Sequence, residues 1–123
     1  MVDTGAASAA NGNGTVVAVT TDGGTITDAD LVVLSQTYAN DTAALAGMKA
    51  TGSDTITYSA TLTDNDSFLV AYSDGSNINI AVATAGSANL TTTEGLDSVA
   101  TVLQFVGVTD TSLIDSTDYS TIT

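Results

Sequence analysis

Acidic and amide side chains are the groups in this chain whose type and spacing suggest chemistry. Asp64, Asn65 and Asp66 are consecutive, and Asp74 follows at a second predicted turn. Carboxylate and amide oxygens are the hard ligands that calcium takes, so these four residues form the first candidate metal site. Leu69 occupies the position where an EF-hand loop has glycine, so an EF-hand is not predicted. The alternative interpretation is that the same residues make Asx turns between strands.

A second candidate metal site comprises Asp22, Asp28 and Asp30, next to the pair Gly23-Gly24. Asp28 and Asp30 also stand where a helix is predicted to begin. Carboxylates at a helix N-terminus are stabilised by the free amide groups there. Helix capping is therefore an equally simple explanation for two of these three acids.

The rest of the composition argues against catalysis. The chain has no His, Cys or Trp, and its one basic residue is Lys49, set against fourteen acidic residues. It therefore lacks a neutral-pH general base and a thiolate nucleophile. Paired carboxylates alone can hydrolyse glycosides, but the absence of Trp leaves few platforms for a sugar ring. The formal net charge of -13 also disfavours nucleic acid and anionic lipid as partners. We predict that the protein is not an enzyme.

Thr and Val are abundant, and thirteen of the fourteen acids are Asp, which favours turns over helix interiors. The composition predicts a mainly β fold, a β-sandwich or a β-roll-like sheet, with one helical segment around residues 28–48. Residues 1–14 are small, polar and rich in Gly, which is typical of a flexible arm. Residues 15–123 are predicted to form a single β-rich domain.

Hydrophobic spacing assigns the elements. Residues 15–20 read as a strand, followed by a turn and a short strand at 25–27 that could complete a hairpin. Leu31, Leu34, Tyr38, Leu45 and Met48 recur at helical intervals, although residues 40–42 interrupt them and predict a break or a kink.

Strands are predicted again from residue 55 onward. Residues 55–62 alternate, and residues 67–72 and 77–84 flank an Asp74-Gly75 turn, which is a strong hairpin signal. Residues 85–97 are predicted to be a loop, and residues 99–108 a further strand.

Four strings in the second half of the chain carry a resemblance. They are FLVAYSDG (68–75), NINIAVAT (77–84), VLQFVGVT (102–109) and SLIDSTDY (112–119). Together with the preceding helical segment they resemble the carboxyl-terminal regions of bacterial type I secreted proteins, a group that includes the RTX and S-layer proteins. The resemblance implies export by an uncleaved C-terminal signal. The calcium-binding nonapeptide GGxGxDxUx of that group is absent here.

These observations predict a secreted, cell-surface structural protein that assembles with copies of itself into a filament or a surface layer. The apolar, uncharged segment with Thr15, Val16, Val17 and Val19 is the predicted assembly strand, adding to a neighbour's sheet edge. Calcium is the expected cofactor, and a cell-surface glycan is a further candidate partner.

Membrane insertion is not expected, because no apolar run approaches the roughly 20 residues that a spanning helix needs. Two alternatives stay open. One is a monomeric calcium- or glycan-binding module or export domain, and the other is an acidic cytosolic protein of a halophile.

Overall fold

The computed structural model describes residues 16–18, 24–26, 31–49, 54–62, 64–86 and 90–114. The elements within these ranges, in chain order, are β1 (Val16–Ala18), β2 (Gly24–Ile26), β3 (Leu31–Thr37), α1 (Asp41–Met48), β4 (Ile56–Leu62), β5 (Ser67–Ser73), β6 (Asn77–Ala85), β7 (Leu90–Thr92), a 3-10 turn (Thr93–Gly95), β8 (Leu96–Val106) and a second 3-10 turn (Thr111–Leu113). The predicted fold class, mainly β with one helix, is confirmed. Residues 1–14, the predicted arm, lie outside the described residues, and the single-domain assignment stays a prediction.

A mixed five-stranded sheet contains most of the described chain, in the strand order β1-β3-β5-β6-β8. β1, β3 and β5 are parallel neighbours, whereas β6 is antiparallel to both β5 and β8. β8 therefore runs in the same direction as β1, β3 and β5. β1 and β8 are the two edge strands of this sheet among the described residues.

A smaller sheet has the order β2-β4-β7, with β2 parallel and β7 antiparallel to β4. The predicted hairpin between residues 15–20 and 25–27 is wrong. β1 pairs with β3, β2 pairs with β4, and the two short strands therefore belong to different sheets.

Among the described residues, the predicted helix around residues 28–48 forms over Asp41–Met48, whereas Leu31–Thr37 is β3, an interior strand of the five-stranded sheet. Leu31 and Val33 pack into one core cluster, and Val32 and Leu34 pack into another on the opposite face. A strand that is buried on both faces has a continuous apolar run instead of alternating apolar and polar residues. Over a few residues, such a run also contains apolar residues at helical spacing, so the two are easily confused.

Asn40 begins the remaining helix rather than breaking it. Its extended backbone and its side-chain oxygen, which accepts the amide of Ala43 at 3.0 Å, make it the N-cap of α1. Ala44 and Met48 are buried against the larger core cluster, so α1 covers one face of the five-stranded sheet.

The predicted hairpin of β5 and β6 is confirmed, and their register runs from Ser67 opposite Thr84 to Ser73 opposite Ile78. Gly75, in the turn of this hairpin, has a φ of 91°, a backbone conformation that residues with a side chain rarely adopt. The predicted strand at 99–108 is also present, but it begins earlier, as β8. Part of the predicted loop at 85–97 forms β7 and a 3-10 turn.

Candidate functional site

The outer edge of β8 is the most unusual surface of the described part of the chain. Twelve consecutive residues, 98–109, carry no ionisable side chain and are bounded by Asp97 and Asp110. Four of them are large apolar side chains that are exposed: Val102, Leu103, Phe105 and Val106. Val106 is 79% exposed and Val102 is 63% exposed. A long, uncharged, apolar edge strand is a template for pairing with another strand.

Two irregularities divide β8. Leu103 lies opposite Ile80 and Thr101 lies opposite Ala81, so Val102 is an extra residue in the ladder. The register shifts a second time near Asp97. Such bulges bend a strand and limit edge pairing, so the part of β8 available for pairing is the stretch from Val102 onward, which contains no further register shift.

Asp41, at the start of α1, blocks strand pairing at Thr101, just before the bulge at Val102. Its Oδ2 accepts the backbone amide of Thr101 at 2.9 Å, and its Oδ1 accepts the hydroxyl groups of Thr101 and Tyr72, at 2.5 Å and 2.7 Å. Burial alone would raise the pKa of Asp41, but these hydrogen bonds outweigh it and hold the pKa below its ordinary value. The ionised carboxylate of Asp41 therefore holds the start of α1 against β8.

A polar cleft of about 260 Å³ adjoins this contact. Its lining residues are Ala39, Asn40, Asp41, Tyr72, Asp74, Asn79, Thr101 and Gln104. Burial is the main reason why the pKa of Tyr72 rises to about 12, and the charges of Asp41 and Asp74 contribute. The Tyr72 hydroxyl is therefore a neutral hydrogen-bond donor at physiological pH.

Asp74 forms the base of the β5–β6 turn. It accepts the side-chain amide of Asn77, the backbone amides of Ser76 and Asn77, and the side-chain amide of Asn79. The hydrogen bond from the Asn77 side chain is the largest cause of a pKa lowered to about 2, and the bonds from Ser76 and Asn79 add to it. Asn79 in turn accepts the side-chain amide of Gln104 at 2.8 Å, which ties the turn to β8.

The structure does not bring the first candidate metal site together. Asp64, Asn65 and Asp66 precede β5, whereas Asp74 follows it, and seven strand residues at about 3.3 Å each place the two groups roughly 20 Å or more apart. The backbones of Asn65 and Asp66 instead bond to Ala85 at the far end of β6. Among the described residues there is no group of three or more acidic side chains that could hold a metal ion.

Asp22, Asp28 and Asp30, the second candidate metal site, lie outside the described residues. So do Thr15 and Val19 of the predicted assembly strand. The backbone of Val16 and Val17 belongs to β1, which pairs with β3 of the same chain. That pairing places the segment at an edge of its own sheet rather than on a free arm.

Two features were missed by the sequence analysis. The sequence pattern marks Asp41 only as a helix breaker, and it predicts a strand at residues 99–108 without indicating that this strand lies at the edge of a sheet. The lack of charge along residues 98–109 is evident in the sequence, but an apolar run of this kind does not by itself distinguish an edge strand from a buried one. The contact of Asp41 with Thr101 joins residues 60 apart in the chain, which no local pattern reveals.

No protein-family model, curated protein or solved structure matches the chain. The resemblance to type I secreted proteins therefore stays a prediction. Within the described part of the chain, α1 is far too short to cross a bilayer, and no other helix is a candidate span.

Proposed function

We propose that this protein is a non-enzymatic, extracellular structural subunit whose copies associate into a filament or surface layer after export by a type I system. The observation that carries the proposal is the edge of β8, which presents four large apolar side chains and no charge along residues 98–109. Pairing at such an edge satisfies backbone groups and buries apolar surface at the same time.

Charge determines the conditions under which association is expected. Copies with a formal charge of -13 repel one another, and the repulsion is screened over about 10 Å at 0.1 M salt. The uncharged edge is a surface where two copies meet with little local repulsion. We therefore expect association to strengthen with salt or divalent cations.

Sedimentation velocity and negative-stain microscopy of the purified chain, across salt and calcium concentrations, test the proposal. Assemblies that grow with ionic strength are the expected result. A chain that stays monomeric under all these conditions would overturn the structural-subunit function.

Export is tested separately by truncation. Val108 and Ile114 pack against the smaller core cluster, so the truncation is made after them, by deleting residues 115–123. In cells that carry a type I system we expect this variant to stay inside, while deletion of residues 1–14 leaves secretion unchanged. Secretion of both variants would argue against the C-terminal export signal.

The polar cleft favours a second candidate, a monomeric calcium- or glycan-binding module. Its two carboxylates, Asp41 and Asp74, already accept several hydrogen bonds each, which leaves fewer free oxygens for a cation.

The test of this second candidate compares calcium-induced shifts of the melting temperature in three proteins: the parent, Asp74→Asn, and the double variant Asp64→Asn with Asp66→Asn. A calcium shift that only one variant loses would assign the site to that end of β5.

A further inference from the structure

The open part of the β8 edge has defined limits. On one side, the carboxylate of Asp41 occupies the backbone amide of Thr101. On the other side, Gly107 has a φ of 77° and turns the chain out of the strand after Val106. Residues 102–106, with the sequence VLQFV, lie between these limits, and we refer to them as the open edge.

The side chains of the open edge alternate about Gln104. Leu103 and Phe105 lie opposite Ile80 and Ile78, so they extend the face that carries the smaller core cluster. Gln104 and Val106 lie opposite Asn79 and Asn77, on the other face. The apolar residues are thus placed symmetrically around one polar residue.

We propose that two copies of this chain pair antiparallel through their open edges, about a two-fold axis at Gln104. This inference rests on the proposed function and specifies its first contact. The two five-stranded sheets then join into one sheet of ten strands. An isologous contact of this kind uses the same surface in both copies.

The register follows from matching apolar residues across the axis. With the axis at Gln104, Leu103 of one copy lies opposite Phe105 of the other, and Val106 meets the bulged residue Val102. Directly opposed side chains in an antiparallel pair share a face, so the contact of Leu103 with Phe105 is apolar, and Val106 meets another apolar residue. Moving the axis to Leu103 or Phe105 would place Gln104 opposite Val102 or Val106 and break this match.

The same register avoids opposed charges. None of the residues of the open edge is ionisable, so no two carboxylates lie opposite each other within the pair. Like charges directly opposite each other destabilise a strand pair, so their absence matters in a chain with a formal charge of -13.

The other edge strand is a weaker partner. β1 has three residues and runs parallel to β8, so translating one copy onto the next would form a short parallel pair. Parallel pairing is slightly less stable per residue than antiparallel pairing. The open edge of a second copy provides five residues in the more stable orientation.

Single-cysteine variants test the axis, because the chain contains no cysteine. In the proposed dimer the two Gln104 Cα atoms lie about 4.5–5.5 Å apart, within disulfide range. The two Val106 positions are offset by about 13 Å along the strand, out of range. Under mild oxidation, Gln104→Cys should form a covalent dimer about tenfold faster or more than Val106→Cys. A mixture of Val102→Cys and Val106→Cys should form the heterodimer.

Sedimentation of the parent, and of each variant under reducing conditions, completes the test. If the parent associates but Gln104→Cys cross-links no faster than Val106→Cys, the two-fold contact is wrong and the structural-subunit function stands. If the parent is monomeric throughout, both fail. Preferential cross-linking at Gln104, together with the heterodimer, supports the contact and its register.

Discussion

The hydroxyl group of Tyr38 donates a hydrogen bond of 2.6 Å to the carboxylate of Asp54, and both residues are buried. The same carboxylate accepts the backbone amides of Ser35 and Gln36 and the hydroxyl group of Ser35. A buried carboxylate needs such donors, because an unsatisfied one costs several times what an ordinary hydrogen bond contributes. Asp54 therefore fixes the end of β3 just before the chain enters α1.

Tyr38→Phe should lower the free energy of unfolding by about 1–3 kcal/mol, because it removes one donor from a buried carboxylate. Urea unfolding followed by circular dichroism measures the change. Gln36→Ala is the matched control, since it keeps the backbone amide that Asp54 accepts and should alter stability little. Equal losses in the two variants would contradict this role of Tyr38.

Gly47→Ala should destabilise the protein, although alanine is the better helix former by about 1 kcal/mol. A Cβ atom at position 47 would overlap the Tyr38 ring, which must then move away from Asp54. The same substitution in a Tyr38→Ala background should be neutral or stabilising. Thermal unfolding of the four proteins gives the coupling, and additive effects would count against the contact.

Asp74→Asn should lose stability in a pH-dependent way. The pKa of Asp74 is lowered to about 2 in the folded state, from an ordinary value of 3.8. Its contribution is therefore complete above about pH 4 and is lost as the pH falls through 2. The difference in melting temperature between the parent and the variant should be largest above pH 4 and should shrink toward pH 2. Asp97→Asn, which removes an exposed carboxylate near the start of β8, is the control. An identical pH profile in both variants would refute the role of the Asp74 carboxylate in stabilising the turn.

Val106→Asp should weaken association about tenfold or more, because it replaces a buried apolar contact worth roughly 1.5 kcal/mol with a charge. Val106 is 79% exposed in a single copy, so the fold should be unaffected. Leu113→Asp makes a similar change at a 62% exposed residue outside β8 and should leave association nearly unchanged. Light scattering as a function of concentration compares them, and equal weakening would point to general charge repulsion.

The parts of the fold that could be predicted from the sequence are those set by local chemistry. Asp74-Gly75 specifies the β5–β6 hairpin, because the turn and both strands are neighbours in the chain. The four apolar residues that open β3 were misassigned because two buried faces erase the alternation that identifies a strand. The partners of β1 and β2 depend on parallel pairing between distant segments, and turn residues carry no information about that.

In the candidate site too, the features set by neighbouring residues could be predicted, whereas those set by contacts between distant segments could not. The Asx-turn alternative fits Asp74, which accepts the backbone amides of Ser76 and Asn77, and the length of β5 keeps Asp64 and Asp74 apart. The apolar stretch of β8 was evident as a strand, whereas its exposure depends on which strands lie beside it. Asp41 gained its role only when the helix N-terminus was packed against Thr101.

The strand order also has a consequence for how the chain folds. β5 and β6 pair antiparallel across a three-residue turn, and β8 follows β6 after ten residues, whereas Leu31 of β3 pairs in parallel with Leu69 of β5, 38 residues away. Contacts between distant segments form later because a longer loop must close first. We therefore expect a β5–β6–β8 meander to form early, with the β5 edge uncovered until β3 arrives. During that interval the seven-residue strand β5 is an open edge in place of the three-residue strand β1, and the protein concentration at that stage determines whether the molecule completes its own sheet or joins a neighbour's.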